Sequence, residues 1–122
     1  MKERLDGSPF LHVMPRVHDD LADCLSFIDS QPWGDSEARY CDIDKCIDDI
    51  IRWPTARPVG VRRPSLGLEL RRRNAAQFSV IYTYLPPGPR FPAGCVSLRA
   101  IRHRRVRNVF HGVKEPEPVA YG

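Results

Sequence analysis

The stretch LGLELRRRNAAQFSVIYTYL, Leu66–Leu85, decides how this chain folds. Its first part alternates, with Leu66, Leu68 and Leu70 on one side and Glu69, Arg71 and Arg73 on the other, which is the period of a half-buried strand. Its last part, FSVIYTYL (Phe78–Leu85), is apolar on both faces, as a central strand must be. Downstream, VSLRAI (Val96–Ile101) alternates again, with Val96, Leu98 and Ala100 expected inward and Arg99 outward. Between these two strands lies PPGPRFPAG (Pro86–Gly94), too rich in Pro and Gly for a helix or a central strand and therefore a long hairpin loop.

Upstream the period changes. FLHVM (Phe10–Met14) is a short apolar run stopped by Pro15 and reads as a first strand. Val17, Leu21, Cys24, Leu25 and Ile28 then recur at helical spacing, with Asp19, Asp20, Asp23 and Asp29 elsewhere on the cylinder. SQPWGD (Ser30–Asp35) stops that helix and offers a tight turn. A second helix carries Tyr40, Ile43, Cys46, Ile47, Ile50 and Ile51 on one face and ends at Pro54. The Pro- and Arg-rich segment PTARPVGVRRPS (Pro54–Ser65) reads as a linker from helices to sheet. The expected fold is a two-layer α+β domain, with an N-terminal strand and an antiparallel helical hairpin packed on a small, mainly antiparallel sheet.

At 122 residues the chain has length for one core, expected to span residues 1–112, with residues 113–122 as a flexible tail. No apolar run approaches a membrane span, and MKERLDGSPFLHV lacks the apolar core and cleavage site of a secretory signal, so a cytoplasmic protein with no membrane partner is expected. Cys24, Cys41, Cys46 and Cys95 form no C-x-x-C pair, and Cys24 and Cys46 fall at apolar helix positions, so buried thiols are expected rather than a disulfide or a metal site. No metal-ligand cluster, glycine-rich phosphate loop or nucleophile elbow is present, and no cofactor is expected.

Charge is more informative than composition. Between Asp19 and Asp49 there are ten acidic residues against two basic ones; between Arg52 and Arg107 there are thirteen arginines against Glu69 alone. So polarised a molecule is expected to meet an anionic partner, nucleic acid or acidic peptide, with its second half. The guanidinium fork suits bidentate contact with phosphate and carboxylate alike. With the leucines facing the helices, Arg71, Arg73 and Arg99 project from the opposite face of the sheet, and the arginines of IRHRRVRNVF (Ile101–Phe110) lie at its end. His103 is the imidazole in this cluster, the side-chain type suited to proton transfer near neutral pH; it either serves as acid or base in phosphodiester chemistry or caps the sheet by hydrogen bonding and stacking. His111 and Tyr82 belong to the same neighbourhood only if the fold brings them there.

The order and spacing of VMPRVHDDLADCLSFI, LGLELRRRNAAQFSVIYTYL and LRAIRHRR resemble the RelE/ParE superfamily of toxins from bacterial type II toxin–antitoxin pairs. The carrying features are a strand ending in Pro, an Asp-Leu pair in the first helix (Asp20-Leu21), the FSVIY strand, and an ending in His-x-Arg-Arg type residues (His103, Arg105). The resemblance implies a cognate antitoxin as partner, with operator DNA contacted only through the antitoxin complex. One branch of the superfamily cleaves mRNA on the ribosome; on that reading His103, Arg73, Arg99 and Arg105 would be catalytic. The other branch inhibits DNA gyrase without catalysis, and Phe110 at the place of the nuclease tyrosine makes this the nearer likeness. Arg71, Arg73, Arg99, Arg102, Arg104, Arg105 and Phe110 would then form the partner- or phosphate-binding surface. A relic that only binds antitoxin and represses its operon is the third implication.

Overall fold

A computed structural model describes residues 7–113. Strand β1 (Phe10–Val13) leads into helix α1 (Pro15–Asp29), which begins at a Pro in its first turn, where the missing N–H costs nothing. The turn to α2 (Ser36–Arg52) is closed by Gly34, where a side chain would collide with the Ile28 carbonyl at 1.7 Å; no residue but glycine fits there. Asp35 caps α2, its carboxylate accepting from the Ala38 N–H at 3.0 Å. Four strands follow: β2 (Val59–Arg63), β3 (Leu68–Ala75), β4 (Phe78–Leu85) and β5 (Cys95–His103). The sheet order is β1-β5-β4-β3-β2, with β1 parallel to β5 and every other pair antiparallel.

This is the expected α+β architecture, two helices on a mainly antiparallel sheet with an N-terminal strand. β4 is central, and the loop from Pro86 to Gly94 joins it to β5. Three local expectations are corrected. The segment Pro54–Ser65 is not simply a linker, because Val59–Arg63 pairs with β3 as an edge strand. Flanking prolines and a central glycine are tolerated at an edge, where half of the ladder bonds are not required. Leu66 sits outside β3 in a single 3-10 turn (Pro64–Leu66) and is exposed.

The third correction concerns the faces. Val80, Tyr82, Val96, Leu98 and Ile101 pack with Val17, Cys24, Ile28, Ile43, Ile47 and Ile50 in the core under the helices. Leu70, however, belongs to a second apolar cluster with Ile81, Ala100, Val109 and Val113. By strand alternation Leu68 shares the face of Leu70, while Arg71 and Arg73 share that of the helices. The sheet is therefore covered on both sides, by helices in front and by the segment from Arg104 to Val113 behind. Val113, expected to begin a flexible tail, is fully buried in that second cluster; the remainder of the expected tail, 114–122, and the first six residues lie outside the described residues.

A bulge explains why β5 misled. Ile81 pairs with Ala100 but Tyr82 pairs with Leu98, so Arg99 is an extra residue in β5. Leu98 faces the helices as expected, but beyond the bulge the phase of the strand changes, sending Ala100 to the far face and Ile101 to the helix face. No helix among the described residues is long and apolar enough to cross a membrane.

Candidate functional site

The arginines expected on one exposed surface are divided among four environments. Arg99 is buried, with 0% of its surface exposed, and its Nη2 lies 3.3 Å from Thr83 Oγ1, which accepts the bond; it does not project to solvent as expected. A buried guanidinium is held by hydrogen bonds in the protein, and phosphate arriving from solvent does not reach it. His12 lines the same side of the sheet, with Nδ1 2.8 Å from Ser97 Oγ. Burial first and the Arg99 charge second keep its pKa below the ordinary value.

Arg71 and Arg73 lie in front, beside α2. Arg73 Nη2 pairs with Asp49 Oδ2 at 3.3 Å, and Arg71 Nη1 donates to the Arg57 carbonyl. Tyr82 is buried beneath them, its hydroxyl donating to the Pro54 carbonyl at 3.5 Å, and burial raises its pKa against the opposing charges of Arg71 and Arg73. It is a core residue, remote in role from the end of β5.

A third group of arginines fastens the C-terminal segment to the back of the sheet. Arg63 Nε donates to the Val113 carbonyl at 2.8 Å and its Nη2 to the Phe110 carbonyl at 2.7 Å. Arg102 Nη1 donates to the carbonyls of Val109 at 2.9 Å and His111 at 2.5 Å. Arg72 Nη2 reaches the Arg104 carbonyl at 3.3 Å. A segment without regular ladder bonds has orphan carbonyls, and guanidinium groups satisfy them with charge-assisted bonds. Arg102 and Phe110, both expected to meet a partner, are thus engaged internally. Phe110 lies over Gly60, whose missing side chain leaves the room: a Cβ there would come within 2.6 Å of the ring. His111 is exposed on this same segment and is not gathered to His103.

Of the expected surface, what remains open to solvent is the corner where β5 ends. Arg104, Arg105 and Arg107 are exposed, and among the described residues their guanidinium groups make no hydrogen bond or ion pair. His103 stands beside them with its ring edge-on to Phe27 (centroids 6.1 Å, planes at 84°) and to Phe78 (5.9 Å, 84°). Its Nδ1 accepts from the Arg105 backbone N–H at 3.3 Å, which places the proton of the neutral ring on Nε2. The imidazole is thereby held between two aromatic rings and the following turn, the capping role weighed for it above.

Two cavities meet at this histidine. One, of about 390 Å³, has walls from Phe27, Phe78, Ile101 and Val106 and carboxylates of Asp20 and Asp23 at its side. The other, of about 330 Å³, is bordered by Phe27, Trp33, Gln77, Arg104 and Arg105. Asp20 Oδ2 accepts from the Ile101 N–H at 3.0 Å, satisfying a β5 donor beyond the last residue paired with β1. The aromatic members were missed by sequence reading. Their signal was present: Phe27 lies off the apolar stripe of α1 and Trp33 sits in the turn, and they are 47% and 63% exposed. Cys24, which also borders the larger cavity, has a thiol that burial and the nearby Asp20 and Asp23 push up to about 11, so it is no nucleophile at neutral pH. Among the described residues no group of His, Cys, Asp and Glu is arranged to hold a metal ion.

No family model matches this sequence, and no curated protein matches it.

Proposed function

We propose that this chain acts by binding, as the toxin of a bacterial type II toxin–antitoxin pair of the RelE/ParE kind, holding DNA gyrase and being neutralised by a cognate antitoxin in the cytoplasm. The observation that carries the choice of binding over cutting is the dispersal of the would-be nuclease set. Arg73 is paired with Asp49 in front of the sheet, Arg99 is buried, and Arg105 stands alone with His103 at the end of β5. Phosphoryl transfer needs base, acid and cations around one phosphorus, and groups split between an interior and two surfaces do not stabilise one transition state. A binding role asks less: an exposed basic corner, Arg104, Arg105 and Arg107, flanked by Phe27 and Trp33. The resemblance in element order and in the Asp20-Leu21 and His103-Arg105 motifs supplies the toxin reading, and an acidic antitoxin segment folding onto this corner would complement its charge.

The test is controlled expression in a bacterial host with separate labelling of DNA and protein synthesis within minutes. DNA synthesis is expected to fall first, with a DNA-damage response, and Arg104→Gln/Arg105→Gln is expected to relieve it. An early fall in translation with new mRNA 5′ ends would overturn this reading in favour of ribosome-dependent mRNA cleavage. Unimpaired growth would favour a relic that only binds antitoxin.

A further inference from the structure

We infer that the paired cavities around His103 form a binding site for a free purine nucleoside monophosphate of the guanine type. This inference is independent of the toxin reading, since it concerns the isolated chain and a small ligand. Each cavity alone lies at the small end of the range that ligand sites occupy, and they share Phe27 and His103, so one ligand can span both. Their chemistry differs in the way the two ends of a nucleotide differ. The larger has aromatic and aliphatic walls with the carboxylates of Asp20 and Asp23 at its side and Arg102, which binds main-chain carbonyls, at its border; the smaller has the guanidinium groups of Arg104 and Arg105.

The carboxylates select the ligand. Asp20 is committed to the Ile101 N–H and lies 3.8 Å from Arg16, whereas Asp23 is exposed and makes no bond among the described residues. An ionised carboxylate only accepts, so the group it receives must carry N–H donors, and two adjacent donors engage both oxygens. Guanine offers N1–H and the 2-amino group side by side; adenine offers one amino group on that edge. An acidic peptide placing an apolar side chain in this cavity would gain nothing from Asp23. The base would stack on Phe27, and the unpaired Arg104 and Arg105, with Trp33 bordering them, would take the phosphate, as planar guanidinium groups do. Asp19, Asp20 and Asp23 along α1 border the basic corner with negative charge, so a strand continuing from the corner across α1 is opposed while a single phosphate held at the corner is not.

The experiment uses the full chain with Trp53→Phe, leaving Trp33 as the fluorescent reporter, since the chain has two tryptophans. Titration with GMP is expected to give a saturable change in Trp33 emission, with AMP, guanosine and inorganic phosphate each at least about tenfold weaker. Asp23→Ala is expected to abolish the preference for GMP over AMP while the melting temperature stays unchanged. Arg104→Gln/Arg105→Gln is expected to weaken GMP at least about tenfold but to leave guanosine unaffected. The inference is overturned by no saturable change with GMP at millimolar concentration in folded protein, by equal affinity for inorganic phosphate, or by unaltered binding in the Asp23 variant. Tighter binding of a single-stranded oligonucleotide than of GMP would also overturn it and make the corner a nucleic-acid groove.

Discussion

At the scale of the residue, the same side-chain type is put to different uses in this molecule, and only its surroundings distinguish them. Arg99 is buried at a bulge, Arg63 and Arg102 bind main-chain carbonyls, and Arg104 and Arg105 stand in solvent. Arginine alternation in the sequence carries no record of this, because the partner in most cases is a carbonyl of a residue far along the chain. Ala76 is a residue whose effect is local and therefore predictable. It turns the β3–β4 hairpin with φ of +53°, the left-handed conformation that a Cβ disfavours by roughly 1–2 kcal/mol. Part of that cost returns as backbone entropy when glycine is substituted, so Ala76→Gly is expected to stabilise the fold by about 0.5–1 kcal/mol. Urea unfolding measures it; an unchanged or lowered midpoint would show that Ala76 makes compensating contacts.

At the scale of the element, the decisive one is the segment Arg104–Val113, which has no helix or strand yet forms the second covering layer of the sheet. It stays in place because apolar burial of Val109 and Val113 acts together with the guanidinium bonds from Arg63 and Arg102. Charge-assisted bonds contribute about 1.5–3 kcal/mol each, and removing the donor leaves partly buried carbonyls unsatisfied. Arg63→Met is thus expected to cost about 2–3 kcal/mol and to expose the amides of Val109–Val113 to hydrogen exchange. Arg105→Met is expected to stay within about 0.5 kcal/mol of the parent. Equal losses in the two variants would refute the division of the arginines into fastening and free groups. This element was also the least legible beforehand. Its apolar residues, Val106, Val109, Phe110 and Val113, fall at the i, i+3, i+4, i+7 spacing of a helix, yet the segment is a run of turns with Val106 exposed, so periodicity reports the wrong element and not what these residues pack on.

At the scale of the whole molecule, acidic residues gather on the helices and basic ones on the sheet and its C-terminal corner. Such asymmetry steers anions to one end and makes binding there depend on salt. Retention on a polyanionic resin is expected, with log K falling by roughly 0.7–0.9 per phosphate neutralised as log salt rises. The triple variant Arg104→Gln/Arg105→Gln/Arg107→Gln is expected to lose most of that slope. Retention unchanged by those substitutions would move the anion site elsewhere, towards Arg57 and Arg71 beside α2. The sequence alone determined the helices, the central strand and the class of fold, because each rests on local period: 3.6 for the apolar stripes of α1 and α2, unbroken apolarity for β4. It also located the basic end at His103 to Arg107. Tertiary structure alone decided which face each arginine meets. A sheet covered on one side has a single inward face that alternation identifies, but here both sides are covered and a bulge at Arg99 changes the phase of β5. Whether a residue at one phase of the strand is buried or free then depends on what packs over it, and that is set by contacts between segments distant in the chain.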